Sequence, residues 1–208
     1  MSSHEIRRAI DGSQHRELVA VAARAFWDDP LFDFLSGNDL LAEHCVLPYV
    51  FRAAFSDLRS DTAQLYVTDV DNRPRGFAGW LGPGTFPRSR REKLVRDIRA
   101  ASVLARLQNR RAAAALLREV DRRHPSEDHW YLALLATDPS AQGRGIGTAL
   151  MQPVLTQCDS SGVPAYTETQ KEENVSWYGR AGFNVMDEVR LPDTPPIWRL
   201  WRDPVDGV

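Results

Sequence analysis

The sequence has few cysteines, no long apolar run and almost no net charge, and each of these absences excludes a class of protein. Cys45 and Cys158 lack the paired spacing of a zinc site, so we expect two reduced, mostly buried thiols and no metal. The longest apolar run, Trp130 to Ala136, is shorter than the about 20 residues that span a bilayer. A net charge of −2 excludes a surface built as a whole to follow polyanions.

Length and composition are those of an ordinary folded protein. The first ten residues are polar and include Arg7 and Arg8 without an apolar segment behind them, so no secretory signal is predicted. We therefore expect a cytoplasmic protein that contacts no membrane. Of the 208 residues, 43% are hydrophobic and 26% charged, which favours one folded domain over residues 1–208.

Periodicity predicts helices and a hairpin in the first half of the chain. A first helix is predicted with Asp11 at its N-cap and Gln14 at N3, before an apolar stretch from Leu18 to Phe26. A second helix over Leu40 to Leu58 would place one row of side chains on a common face, namely Leu41, Cys45, Tyr49 and Ala53. Strands are predicted over His4 to Ala9, Ala63 to Val70 and Arg75 to Leu81.

Residues 88–123 form a helical, arginine-rich insertion with twelve basic and four acidic side chains. The segment contains no aromatic residue on which a base could stack, so we interpret it as a solvated face or a lid and predict no nucleic-acid partner. Arg118, Arg122 and Arg123 could still help to hold a phosphorylated ligand.

The second half of the chain predicts a buried strand that leads through a glycine-rich loop into a helix. The strand covers Trp130 to Thr137, and the helix ends at Ser160 before Gly162. The elements that follow are a strand over Pro164 to Thr169, a short helix from Asn174 to Gly182, and strands over Phe183 to Leu191 and Ile197 to Arg202.

The glycine-rich loop comprises Gln142, Gly143, Arg144, Gly145, Ile146, Gly147 and Thr148. It lacks the lysine of a mononucleotide P-loop and the glycine spacing of a dinucleotide fingerprint. Alternating glycines before a helix let free backbone amides approach an anion closely, and a diphosphate suits that geometry. The alternative is that the glycines form only a tight turn.

The motif Gln142-x-x-Gly145-x-Gly147 after Asp138-Pro139 resembles motif A of the GCN5-related N-acetyltransferase (GNAT) family. Asn174, Tyr178 and the pair Gly182-Phe183 are similar to a later motif of that family. The resemblance implies an α/β (α+β) GNAT fold, in which a central mixed, twisted sheet of six or seven strands is flanked by helices. Gly162 to Ala165 and Pro153 look like the puromycin N-acetyltransferase branch of the family.

The resemblance implies that acetyl-CoA is the cofactor. The diphosphate of acetyl-CoA would bind the seven loop residues, and its pantetheine arm would bind the amides of Leu135 and Thr137. Asn174 would either contact acetyl-CoA or only cap a helix. Tyr178 would be the general acid near the sulfur. We predict Glu168 as the general base because it lies near the carboxyl end of its strand, where such sheets bind ligands.

The reaction implied is acetyl transfer to a primary amine of a small molecule, a metabolite or an antibiotic, by direct attack in a ternary complex. The acceptor would be bound by Asp28, Asp29, Phe32 and Trp80, and the other candidates for the base are Asp28, Asp29, Asp33 and His129. Two alternatives stay open: an acyl-CoA-binding regulatory module, and an acetyltransferase of protein lysines or N-termini. A monomer or a homodimer is expected.

Overall fold

A computed structural model describes residues 5–9 and 14–205, except for the side chains of residues 40–43. In chain order, the elements of this part are β1 (Ile6–Arg8), α1 (His15–Ala25), α2 (Pro30–Leu35), α3 (Leu40–Asp57), β2 (Ala63–Val70), β3 (Arg73–Leu81), α4 (Arg90–Leu104), α5 (Arg110–Arg123), β4 (Trp130–Thr137), α6 (Ile146–Ser161), β5 (Ala165–Thr169), α7 (Glu172–Gly179), β6 (Asn184–Val189) and β7 (Ile197–Arg202). None of the helices in this part has the length and apolar character needed to cross a membrane.

The strands form one mixed sheet in the order β1-β2-β3-β4-β5-β7-β6. Strands β4 and β5 pair in parallel, with α6 as the connection between them, and the other neighbours pair antiparallel. The predicted mixed sheet of six or seven strands with helices on its faces is therefore confirmed.

The two faces of the sheet bury separate cores. On the α6 face, Leu150 and Met151 of α6 pack against Trp80 and Leu132 of the sheet. On the α1 face, helices α1 and α3 cover residues such as Val67, Phe77 and Leu81. Helix α5 also lies on the α1 face, where Leu116 packs against Val189 and Ile197. Glu168 and its neighbours lie on the α1 face between these groups of helices.

The arginine-rich insertion consists of the two helices α4 and α5. Helix α4 begins in a capping box, in which Ser89 and Glu92 satisfy each other's backbone amides. It buries none of its side chains. Partly buried Leu104 at its end packs on a small apolar cluster, and ion pairs run from Arg96 to Asp121 of α5 and from Arg99 to Asp57 of α3. Because exposed pairs contribute only about 0–1 kcal/mol each, α4 is held less firmly than the helices over the two cores.

The prediction for the buried face of α3 is wrong. Cys45 and Tyr49 are exposed, whereas Leu47, Phe51 and Phe55 are almost fully buried. These three side chains also recur every four residues, and together they remove more apolar area from water. Of the two thiols expected to be buried, only Cys158 is. The side chain of Leu41 and all of Asp11 lie outside the described residues.

Candidate active site

Strands β4 and β5 separate part-way along the sheet and leave a gap. Their parallel pairing ends at Leu132 and Thr167, although β4 continues to Thr137. On the other side of β4, Trp80 pairs with Leu132 and Gly79 with Leu134, so Ala133 is an extra residue in the ladder. A bulge of this kind bends and twists its strand. The second half of β4 therefore presents an edge to the gap.

Backbone groups of β4 point into this gap. The amide of Asp138 donates to the carbonyl of Arg75 in β3 at 2.7 Å. Because successive residues of an antiparallel strand point their polar groups to opposite sides, Leu135 and Thr137 point theirs away from β3 and into the gap. The carbonyl of Thr137 there accepts a hydrogen bond of 3.1 Å from the side-chain amide of Gln142.

The glycine loop joins the end of β4 to α6 through left-handed backbone. Gly143 has φ of +73° and Gly145, the N-cap of α6, has φ of +79°. A Cβ atom at either position would meet nothing within 4 Å, so the space over the loop is open. The first hydrogen bond within α6 runs from the amide of Ala149 to the carbonyl of Gly145, at 3.0 Å. The amides of Ile146, Gly147 and Thr148 precede that ladder and have no acceptor within it.

The third glycine of the loop is required by a close approach. A Cβ on Gly147 would lie 3.1 Å from Cζ2 of Trp177, which belongs to α7. Glycine thus lets the first turn of α6 pack directly against α7. The contact fixes the loop relative to the helix that carries Tyr178.

Asp138 anchors the start of the loop. One carboxylate oxygen accepts from the amide and the hydroxyl of Ser140, and the other accepts from the guanidinium of Arg24 in α1. Burial raises the pKa of Asp138, but the bonds from Ser140 and Arg24 outweigh it and lower the pKa to about 2. The carboxylate is therefore ionised at neutral pH and holds α1 against the loop.

Glu168 is a partly buried carboxylate held by two tyrosines on the α1 face. Tyr131 of β4 donates to one oxygen at 2.9 Å and Tyr166 of β5 to the other at 2.7 Å. Arg199 of β7 donates in turn to the hydroxyl of Tyr166. Burial raises the pKa of Glu168, and the two tyrosine bonds act in the opposite direction.

Tyr178 reaches the same end of the β4–β5 pairing from the α6 face. Its ring is buried in the core of that face, and its hydroxyl lies near Thr167, whose own hydroxyl donates to the carbonyl of Leu132 at 3.0 Å. Thr167 precedes Glu168 in β5, so the two side chains point to opposite faces of the sheet. Burial raises the pKa of Tyr178 to about 12, which keeps the phenol protonated at neutral pH.

Two aspartates before α2 lie beside the end of β5. Asp28 forms an ion pair with Lys171, which follows β5, and its Oδ1 lies 2.5 Å from Nζ of Lys171. Asp29 is buried and forms the N-cap of α2, where its carboxylate accepts a hydrogen bond of 2.9 Å from the amide of Leu31. Burial raises the pKa of Asp29 to about 6, although the Leu31 amide and Lys171 lower it in part.

The comparison with known families decides the identity of this architecture. The profile of the Acetyltransferase (GNAT) family matches residues 42–183, which is more than half of the chain. The chain belongs to this family. An uncharacterized N-acetyltransferase of Schizosaccharomyces pombe is 32% identical over 66 residues, which cover 31% of this chain and 27% of that relative. Most of that relative's length is therefore unmatched.

Solved structures share the GNAT fold at low sequence identity. A Corynebacterium glutamicum structure, described as histone acetyltransferase HPA2 and related acetyltransferase, has a TM-score of 0.68 at 20% identity and covers 99% of each chain. Arylalkylamine N-acetyltransferase 2 of Aedes aegypti has a TM-score of 0.60 at 13% identity, with 96% of this chain and 99% of that chain covered. The PaiA N-acetyltransferase of Thermoplasma acidophilum, solved with coenzyme A, has a TM-score of 0.56 at 11% identity, with 97% and 99% covered.

Three residues predicted for the GNAT site make contacts that the sequence did not predict. Trp80 is fully buried on the α6 face, away from the aspartates, so the prediction that it binds the acceptor is wrong. Phe32 packs against Phe26 and Phe51 between the first helices. Asn174 is not a cap, because Lys171 is the N-cap of α7; the Asn174 amide donates to Thr169 at 3.3 Å.

His129 is not placed to act as a base. It is almost fully buried, and its Nδ1 donates to the carbonyl of Glu127 at 2.6 Å. In the neutral ring, Nε2 must then accept, and it lies 3.2 Å from Nε2 of His124. Both ring nitrogens are therefore engaged, and burial lowers the pKa of His129.

The sequence analysis missed the hydrogen-bond partners of Glu168. Tyr131 and Tyr166 donate to its two carboxylate oxygens. The contact between Tyr166 and Glu168 could be predicted from the sequence, because residues two apart in a strand share a face. The contact with Tyr131 depends on how β4 is aligned with β5, which the pattern does not contain.

Proposed function

We propose that this GNAT protein transfers the acetyl group of acetyl-CoA to a primary amine of a small molecule. The observation that supports the proposal is the arrangement of Glu168 and Tyr178, a carboxylate and a phenol, on opposite faces of the sheet where β4 and β5 separate. One side chain can accept a proton on the α1 face while the other holds one on the α6 face. The gap between them opens onto the glycine loop.

The residues around the gap suit acetyl-CoA. The amides of Ile146, Gly147 and Thr148 at the start of α6 would hold the diphosphate, with Gln142, Gly143, Arg144 and Gly145 forming the open loop over it. Backbone groups of Leu135 and Thr137 would bind the pantetheine arm as an added strand. When bound, acetyl-CoA supplies the acetyl group as a thioester whose thiol has a pKa of about 8.5.

Glu168 would accept the proton of the acceptor amine. An alkylamine with a pKa of about 10.4 costs nearly 5 kcal/mol to present neutral at pH 7, so base assistance matters most at this step. The carboxylate is fixed by two hydroxyls, and burial raises its pKa towards the range in which a base is effective. Asp29, with its pKa of about 6, is the second candidate for the base.

Tyr178 would donate the proton that the departing thiolate takes up. With a pKa of about 12, its hydroxyl is fully protonated at neutral pH. The thiol's own acidity makes this donation a smaller contribution than removal of the amine proton.

The two cysteines argue for direct attack without an acyl-enzyme. Burial raises the pKa of Cys158 to about 12, so that thiol is not a nucleophile at neutral pH. Cys45 is exposed on α3, away from the gap. We therefore infer that the acceptor amine attacks directly, on the face where Glu168, Asp28 and Asp29 lie.

Thiol release from acetyl-CoA tests the proposal when it is followed across a panel of amines. The panel contains arylalkylamines, polyamines, aminonucleosides and peptides with a free lysine or N-terminus. We expect turnover with a small amine that exceeds turnover with every peptide. Preference for a peptide would indicate a protein acetyltransferase instead. Calorimetric binding of acetyl-CoA without turnover of any amine would indicate an acyl-CoA-binding module.

A further inference from the structure

A second cavity lies outside the β4–β5 gap, between helices α3, α4 and α5. Its volume of about 810 Å³ is in the range of small-molecule sites. The wall is formed by small apolar side chains of the three helices, such as Ala54, Ala101 and Ala114, and it ends at Phe86 and His124. Glu168 and Tyr178 do not line it.

The charged side chains of this cavity are mostly basic. Three carboxylates line it, and six basic side chains do: Arg88, Lys93, Arg96, Arg99, Arg118 and Arg122. All three carboxylates are already in ion pairs, Asp57 with Arg88 and Arg99, and both Asp97 and Asp121 with Arg96. Arg122 is paired with Glu119 outside the lining, so two positive charges of the lining remain without a carboxylate.

Two of the basic side chains have no acidic partner. Within residues 5–9 and 14–205, no ion pair involves Lys93 of α4 or Arg118 of α5. Arg88 adds a buried Nε donor that has no hydrogen-bond acceptor in the described part of the chain. A donor left in that state is costly unless a ligand or water supplies an acceptor.

His124 lies at the end of the cavity. Burial is the largest cause that lowers its pKa to about 3, and the charges of Arg88, Arg199 and Arg96 act in the same direction. The neutral ring donates through Nε2 to His129, because the other nitrogen of His129 already donates to Glu127. Three arginines thus surround a neutral imidazole at this end of the cavity.

We propose that this cavity binds a small organic anion carrying two or more negative charges, through Lys93, Arg118 and the Nε of Arg88. Its volume and small apolar walls suit a compact carboxylate or phosphate compound. The site adjoins the proposed centre through one layer of rings, since His124 packs against Tyr131 and Tyr166, which hold Glu168. The bound anion is either an acidic group carried by the acceptor molecule itself or a separate effector molecule.

Calorimetric titration with citrate tests the site. The protein is first saturated with coenzyme A, so that the glycine loop cannot take the probe. We expect one citrate site whose affinity falls at least ten-fold in K93Q/R118Q. The matched control is R91Q/R111Q, which removes the same charge from the same helices but outside the cavity lining. We expect the control to change citrate affinity less than two-fold.

Failure to bind citrate, or an equal loss of affinity in both double variants, would overturn the proposal. The measurement is separate from the acetyltransferase proposal, because a chain that released no thiol would still lose citrate binding only in K93Q/R118Q. Turnover assays then identify the source of the anion. Citrate that competes with the acceptor marks an anionic acceptor, whereas citrate that changes kcat without competing marks an effector.

Discussion

The hydroxyl of Tyr131 on β4 donates to Oε2 of Glu168 on β5 at 2.9 Å, immediately before the two strands separate. The bond crosses the last paired part of the two strands, so the carboxylate is held where the gap begins. A base fixed to both walls of the gap needs little reorganisation when it accepts a proton, which is what preorganised catalysis requires.

Replacing Glu168 with Gln should lower kcat by about 100-fold, because the amide cannot accept the amine proton. The pH profile gives the sharper readout. The base acts in its ionised form, and burial raises the pKa of Glu168. Wild-type kcat/KM should therefore fall as pH drops through a value above the ordinary pKa of about 4.3. This acidic limb should be absent in E168Q.

The control for E168Q is E172Q, which removes a carboxylate from an exposed position in the first turn of α7. We expect it to keep both the rate and the acidic limb. If E168Q kept the wild-type profile and D29N lost the limb, Asp29 would be the base.

Replacing Tyr178 with Phe should lower kcat by about ten-fold with little change in acetyl-CoA affinity, because only the donated proton is lost. Steady-state kinetics and calorimetry with acetyl-CoA measure these two quantities. Y49F, on exposed Tyr49, is the control; unaltered turnover in Y178F would transfer the acid role to another group.

Local signals in the sequence predict the elements around the site well. The bounds of β2, β4 and β7 agree with the structure, and Gly162 ends α6 in the left-handed conformation as expected. Strand alternation and glycine stops act over a few residues, so a single sequence contains them.

Features that depend on how distant segments meet are not contained in those patterns. The extra residue Ala133, which bends β4, appears only when β4 is aligned with β3. Trp80 looks like a pocket residue in a strand, yet the packing of α6 buries it. The exposed row of α3 was misassigned because two apolar rows compete on that helix, and tertiary packing selects the larger one.

Replacing Gly145 with Asp should abolish acetyl-CoA binding, because a carboxylate at the N-terminus of α6 would repel the diphosphate. The variant also introduces strain, since Gly145 has φ of +79°. G162D separates the two effects: Gly162 has φ of +69° at the other end of the same helix, also with open space around its Cβ. We expect similar losses of stability in both and normal affinity in G162D. Normal calorimetric affinity in G145D would show that the loop does not bind the diphosphate.

Replacing Asp29 with Asn should stabilise the protein at pH 8 and not at pH 4. Asn keeps the N-cap bond to Leu31 but has no charge to bury. Burial raises the native pKa of Asp29 to about 6, above its unfolded value, so ionised Asp29 destabilises the native state above pH 6. As pH falls through 6 the native carboxyl takes up a proton, and the wild type regains about 2 kcal/mol. Urea unfolding of both proteins at pH 8 and pH 4 measures the difference in unfolding free energy. D33N, on the same helix, is the control. If D29N raised the unfolding free energy equally at both pH values, the raised pKa of Asp29 would be contradicted.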